Sequence, residues 1–262
     1  ITPARTCPAL EACLEPENLS FAADLYATSD AELCEDCCES PEDIEAYEAQ
    51  RDKNRALWEE KAKNDPDELE ADVVRAIIGD RELHKSQRVV LSSLRAGNSV
   101  LAVMATGRGK SLTFQVHAAC EALAHHTASL FVYPLRALIA DQAFHINEAL
   151  APFGINACTL TGESTPDERR QTFAGLADGS VDIVLTTPEF LVCHAPEFAE
   201  AGRIGFVVVD EAHHIGLSRA GHRPAYAQLG GVIEKLGHPV VLALTATSDE
   251  AITNDIDRVL PV

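Results

Sequence analysis

The chain reads as an α/β domain built on a parallel sheet covered by helices on both faces, preceded by a small, mostly helical extension. Three observations predict this. Short runs that are apolar on both faces alternate with helical patterns from about residue 66 onward, as strands buried on both sides must. Two of these runs end in polar, chemistry-bearing clusters, where sheets of this kind hold ligands. The N-terminal region instead carries charge and cysteine without alternating runs: residues 1–72 hold 21 Asp and Glu against 6 Lys and Arg, so −15 of the net −20 belongs to them.

In order along the chain, residues 41–63 form a first helix, with Ser40 as candidate N-cap and Pro41 at the first helical position. Ile44, Tyr47, Leu57 and Trp58 make its narrow apolar stripe. Asp65-Pro66 breaks it and opens a second helix over 66–78, in which Leu69, Val73, Val74 and Ile77 share a face. The domain boundary is therefore set near 64, with 1–64 an acidic, cysteine-containing extension and 65–262 the sheet domain. Strands are expected at 99–104, 129–133, 156–160, 181–186, 205–210 and 240–245. Helices are expected near 85–96, 110–125, 136–150, 166–177, 188–193, 224–236 and 249–259.

The N-terminal acidity suits a solvated helical face that keeps the chain soluble; an electrostatic gate against stray DNA is the sharper reading. Five of the eight cysteines cluster there, Cys7, Cys13, Cys34, Cys37 and Cys38. The Cys-x-x-Cys within them is a zinc spacing, so the five are candidate ligands of Zn2+ or an iron–sulfur centre, with free thiols as the other reading. Cys120, Cys158 and Cys193 sit singly in apolar context and read as small core residues. No run of 18 apolar residues and no signal-peptide pattern occurs, which leads to the expectation of a soluble, cytoplasmic protein with no membrane partner. A start at Ile1 leads to the expectation of a piece of a longer gene product.

The chemistry gathers in ATGRGKS at 105–111 and VVVDEAH at 207–213. A glycine turn between an apolar run and a helix start offers backbone N–H groups to polyphosphate. Thr106, Gly107, Arg108, Gly109, Lys110, Ser111 and Leu112 would line that turn, Lys110 reaching the outer phosphates and Ser111 supplying a magnesium ligand. The first glycine of G-x-x-x-x-G-K-S is absent, since Met104 stands there. Asp210 would hold Mg2+ and Glu211 would orient and deprotonate the attacking water, because successive residues leaving a strand point different ways. Together the two motifs read as a nucleoside triphosphatase of the P-loop kind, using ATP and Mg2+. His125-His126 at a helix end and His238 before Pro239 read as cap and loop residues, and His213-His214 lacks the HEXXH spacing of a metalloprotease pair.

DEAH at 210–213 and LTATS at 244–248 resemble motifs II and III of superfamily 2 helicases, and further segments resemble the RecQ branch. LHKSQ at 83–87 matches its glutamine motif, with Gln87 standing 23 residues before Lys110. GKSLTFQVHA, YPLRALIADQ, TTPEFL and RPAYAQLG resemble its GKSLCYQIPA, SPLISLMKDQ, APERL and RPEY segments, in order, from about 66 to 260. The resemblance implies the RecA-like ATP-binding lobe of a 3′ to 5′ DNA helicase that couples ATP hydrolysis to movement on single-stranded or partly duplex DNA. Gln87 would then read adenine, and His213 would link the nucleotide to Thr245 and Thr247. Pro134 to Arg136, Thr161 and Thr187 to Glu189 would lie along the strand.

The sequence departs from that family at three places. No aromatic stands at Ile78-Gly79-Asp80, His84 replaces an arginine, and Ser218 and His222 replace the tryptophan and phenylalanine of the aromatic-rich loop. Arg219, His222 and Arg223 could contact phosphates instead. The chain ends soon after motif III, where the family continues into a second RecA-like lobe carrying an arginine finger, so weak ATP binding and no unwinding are expected of residues 1–262 alone. Two other readings stay open. One is a nucleic-acid-stimulated ATPase, translocase or switch in a defence or repair assembly, without duplex opening. The other is a metal-bound protein-interaction module in the N-terminal segment.

Overall fold

Six strands, β1 (Val100–Val103), β2 (Ala128–Val132), β3 (Ala157–Leu160), β4 (Ile183–Thr186), β5 (Ile204–Val209) and β6 (Val240–Thr245), lie parallel in the order β1-β6-β5-β2-β4-β3. They come from a computed structural model that describes residues 41–104, 109–218, 223–246 and 249–262. The five N-terminal cysteines, Thr106, Gly107, Arg108, Arg219, His222 and Thr247 lie outside the described residues.

The apolar runs are strands because both their faces are covered. In β5, Phe206 and Val208 join one core cluster while Val207 and Val209 join the other. Phe131 of β2 opposes Leu130 and Val132, Ile183 and Leu185 of β4 oppose Val184, and Leu242 and Leu244 of β6 oppose Val241 and Ala243 in the same way. The first face is covered by residues 53–64 of α1 (Pro41–Asn64) and by α2 (Leu69–Ile78), α3 (Lys85–Arg95), α4 (Lys110–His125) and α5 (Arg136–Leu150), whose buried side chains include Ala62, Val73, Leu91, Phe114 and Ile146. The second is covered by α6 (Pro166–Asp178), α7 (Pro188–Cys193), α8 (Ala195–Ala201), α10 (Ala225–Lys235) and α11 (Glu250–Val259), with Leu176, Leu191, Phe198, Leu229 and Ile256. A short α9 (His214–Ser218) follows β5 and brings Ile215 to the same cluster.

Three details differ from the sequence expectation. The second helix starts at Leu69, not at 66, because residues 66–68 form a turn. The helices α8 and α9 were not anticipated, since seven and five residues are too short to show a period. The chain divides into one unit up to Asp52 and another from Lys53, so the second half of α1 groups with the sheet, whereas the sequence reading set the boundary near 64. That half carries Trp58, edge-to-face on Phe153 at 4.7 Å, and Arg55, whose Nη1 donates to both carboxylate oxygens of Asp182 at 2.8 and 2.7 Å. Asp182 is 1% exposed and also accepts from the Asn156 N–H at 3.1 Å, which fastens the start of β4 to that of β3. Among the described residues no helix is long and apolar enough to cross a membrane.

Candidate functional site

The carboxyl ends of β1, β6 and β5 bring the two sequence motifs together. β1 and β5 are not neighbours; β6 lies between them and bonds to both. Past its end the Met104 N–H donates to the Thr245 carbonyl at 2.9 Å, and the Ala212 N–H donates to that of Leu244 at 2.8 Å. Gly109, at φ +70°, turns the chain into α4, where Lys110 is the first residue. Lys110 Nζ then stands 3.9 Å from Asp210 Oδ1 and 3.8 Å from Glu211 Oε1. Two segments a hundred residues apart thus share one lysine.

The acidic turn is anchored from three sides. The Asp210 N–H continues the sheet ladder onto the Val132 carbonyl at 3.0 Å, and the Tyr226 hydroxyl donates to the Asp210 carbonyl at 3.3 Å. Glu211 takes φ +48°, a left-handed conformation that a non-glycine residue adopts at a cost and that recurs at functional sites. His213 Nδ1 lies 3.1 Å from Glu211 Oε2, and its ring lies 4.5 Å from that of His214.

Burial dominates the electrostatics here. It pushes the Asp210 carboxyl above the ordinary carboxylate range, with the attraction of Lys110 acting in the opposite direction. Asp210 Oδ1 is buried without a hydrogen-bond partner. A dry carboxylate oxygen without a donor is suited to a cation. Among the described residues no group of three or more His, Cys, Asp and Glu could hold a metal. A cation here would therefore complete its shell with water and phosphate oxygens, as Mg2+ commonly does.

Gln87, 3% exposed, spans from α3 to the phosphate turn: its Oε1 accepts from the His84 N–H at 2.8 Å and its Nε2 donates to the Gly109 carbonyl at 2.9 Å. The residue read as an adenine reader is thus also a brace on the turn. Ser111 is half-buried in the first turn of α4, and the side chain of Leu112 packs against the core.

A second site lies over the tips of β2, β3 and β4, a groove of about 670 Å³ bordered by Pro134, Arg136, Gly162, Thr187, Glu189 and Arg223 among others. The Thr187 side chain caps α7 by accepting from the Phe190 N–H at 3.2 Å, which sets Glu189 in the first turn. Arg223 donates from Nε and Nη2 to Glu189 at 3.0–3.2 Å, and its guanidinium lies 5.4 Å from the Tyr226 ring centre. Arg136 pairs with Glu163. Arg169 lies over Phe190 at 5.3 Å, and Phe190 stacks on His194 at 4.2 Å. Of the residues read as strand contacts, Pro134 to Arg136, Thr187 and Glu189 border this groove, whereas Thr161 and Pro188 are not among its lining residues. The tie from Tyr226 to Asp210, the Arg223–Glu189 pair and the position of Arg169 were not anticipated. RPAYAQLG was visible as a motif, but nothing in it names the partners.

The DEAD/DEAH box helicase profile matches residues 84–255. The chain is 36% identical over 197 residues to the ATP-dependent DNA helicase RecQ of Pasteurella multocida, covering 71% of this chain and 28% of that protein. It is 33% identical over 189 residues to RecQ of Haemophilus influenzae, covering 71% and 29%. The chain therefore spans under a third of the length of these relatives. The crystal structure of the helicase MrfA bound to DNA and AMPPNP superposes with a TM-score of 0.60 over 72% of this chain and 28% of that one, at 21% identity, a likeness of fold alone. The six parallel strands are those of a RecA-like helicase lobe. By the family profile, with RecQ helicases among its relatives, the chain belongs to the DEAD/DEAH box helicases.

Proposed function

We propose that residues 65–262 are the ATP-binding lobe of a RecQ-like, ATP-dependent 3′ to 5′ DNA helicase that couples ATP hydrolysis to translocation on single-stranded DNA. The observation that carries this is Lys110 Nζ within 3.9 Å of both Asp210 and Glu211 at the carboxyl edge of the sheet. Lys110 offsets charge on the outer phosphates, and the N–H groups opening α4 face them. Ser111 and Asp210 would hold Mg2+, a role that the dry Asp210 Oδ1 suits. When bound, that ion neutralises charge developing on the transferred phosphoryl group. Glu211 accepts the proton of the attacking water, with the His213 ring beside it, Nδ1 3.1 Å from its carboxylate. Gln87 offers its amide to adenine. The groove over β2, β3 and β4 takes the strand by its phosphates, without reading sequence. A second lobe of the longer protein supplies the remaining charge stabilisation. The N-terminal segment, through its five cysteines or its acidity, serves protein partners or a Zn2+ ion.

A second reading, strand sensing without duplex opening, is supported by Ser218 and His222 standing where the family has aromatics. ATP turnover with and without single-stranded DNA, paired with a strand-displacement assay on the longer protein, separates the two. Lys110→Ala and Glu211→Gln each lower DNA-stimulated turnover by at least ~10²-fold under this proposal. Turnover that survives both substitutions removes the site assignment.

A further inference from the structure

The groove over β2, β3 and β4 holds three arginines with different partners. Arg223 enters it already held by both oxygens of Glu189, and Arg136 by Glu163. Among the described residues Arg169 makes no ion pair. Its Nη2 donates to the Gly162 carbonyl at 3.2 Å, its guanidinium lies over Phe190, and its Nε is buried without a hydrogen-bond partner. One carbonyl and one ring face leave a full positive charge incompletely compensated. That charge sits at the border of an open groove, where a guanidinium prefers a phosphate.

We propose that Arg169 is the phosphate anchor of this groove and that Glu189 is a built-in competitor, holding Arg223 away from the strand until a backbone phosphate displaces it. The inference rests on the reading that the groove takes a nucleic-acid strand. Arg169 is ready to receive a phosphate, because no ion pair has to open first. Phe190 and the Gly162 carbonyl fix the guanidinium, so little rotamer freedom is lost on contact. Arg223 differs: its Glu189 partner is 51% exposed and sits on the same rim, so the carboxylate repels an approaching phosphate while it occupies the guanidinium. A pair this exposed is weak, and a phosphate that has been brought close by Arg169 can replace it. Strand engagement is thereby split into a first contact and an exchange. The order follows from which arginine is charge-paired at rest.

The test is a titration of the 262-residue chain with a labelled oligothymidylate across a salt series, for the unaltered protein, Arg169→Gln and Glu189→Gln. Arg169→Gln weakens binding about tenfold and makes the slope of log affinity against log salt shallower by about 0.7, one single-strand phosphate contact. Glu189→Gln moves the other way, tightening binding several-fold with a steeper slope, because Arg223 is released to the strand. Misfolding cannot produce that second result. Inorganic phosphate at matched ionic strength leaves the oligonucleotide bound; if it displaces the strand, the groove is a free-anion site and the proposal fails. Equal affinity and slope for Arg169→Gln, or no tightening by Glu189→Gln, overturns the inference while leaving the helicase reading intact. An unaltered protein that binds no oligonucleotide at low salt removes the strand reading together with the inference.

Discussion

The carboxyl edge of the sheet is divided between two kinds of site. At the tips of β1, β6 and β5 one lysine faces two carboxylates, and among the described residues one buried carboxylate oxygen, Asp210 Oδ1, has no hydrogen-bond partner. At the tips of β2, β4 and β3 arginines outnumber the glutamates that pair with them. The first half carries an excess of buried negative charge, which suits a divalent cation bringing polyphosphate. The second carries an excess of positive charge at the rim of an open groove, with glutamate partners that are more than half exposed, which suits contacts that form and break as a strand moves. Depth accounts for the difference: Lys110 is 14% exposed, whereas Arg136 is 56% exposed and Glu163 74%. Charge interactions are strong and slow to exchange in the first setting and screened in the second.

The halves also differ at the opposite edge of the sheet, and here the largest effect is expected. Below the groove, Arg55 and Asp182 form a buried ion pair that ties β4 to α1 and, through the Asn156 N–H, to β3. Asp182→Ala leaves the Arg55 guanidinium largely dry with Glu59 and the Ala122 carbonyl beside it, and should lower unfolding free energy by about 3–5 kcal/mol in urea titrations. Amide exchange in β3 and β4 should accelerate more than in β1 and β6. Replacing both partners with apolar residues, Arg55→Met with Asp182→Leu, should cost less than the single change. Equal loss of protection in all six strands would show that the two halves do not differ in how they are fastened.

Much of the nucleotide half was legible in the sequence and little of the groove half, for a physical reason. Lys110, Asp210 and Glu211 lie in contiguous runs whose backbone conformation is set locally, by a glycine turn and by a strand end, so residue type and spacing nearly determine where the atoms go. The groove depends on pairs far apart in sequence: Arg136 with Glu163, Arg223 with Glu189, Arg169 over Phe190. No local rule couples them; they meet only because β5, β2, β4 and β3 follow one another in the sheet. The same limit hid Tyr226, whose hydroxyl reaches the Asp210 carbonyl from α10. The strand runs themselves were readable to within a residue or two because burial on both faces demands continuous apolar sequence.

An intermediate effect is expected where the nucleotide half has least tolerance. Gly109 is left-handed, and a Cβ there would lie 2.5 Å from Gln87 Nε2. Gly109→Ala therefore incurs the left-handed penalty of about 1–2 kcal/mol and displaces the Gln87 amide from the carbonyl it braces. Titration with a non-hydrolysable ATP analogue should show affinity weakened about tenfold, with a smaller loss in oligonucleotide affinity measured without nucleotide. A loss of equal size at both sites would mean that the phosphate turn also shapes the groove.

The smallest effect at neutral pH, and a distinct one in acid, is expected at His117, which packs edge-to-face on Phe206 of β5 at 4.6 Å, next to the strand where the halves meet. Its side chain is 4% exposed and its Nε2 has no hydrogen-bond partner. Burial lowers its pKa to about 4, with a smaller contribution from His125. In the unfolded chain the same imidazole titrates near the ordinary value, about 6.5. Between these values the unfolded chain binds a proton that the folded chain does not, so stability is fully present above about 6.5 and is lost as pH falls toward 4. His117→Leu should match the unaltered protein within about 1 kcal/mol at pH 7. By pH 4.5 it should gain on the unaltered protein by roughly 2 kcal/mol, seen as a flatter dependence of Tm on pH. Parallel Tm curves through that window would assign the acid sensitivity elsewhere, with Asp210 excluded as its source. The Asp210 carboxyl is raised by burial, so its ionisation opposes folding and its contribution falls as pH rises.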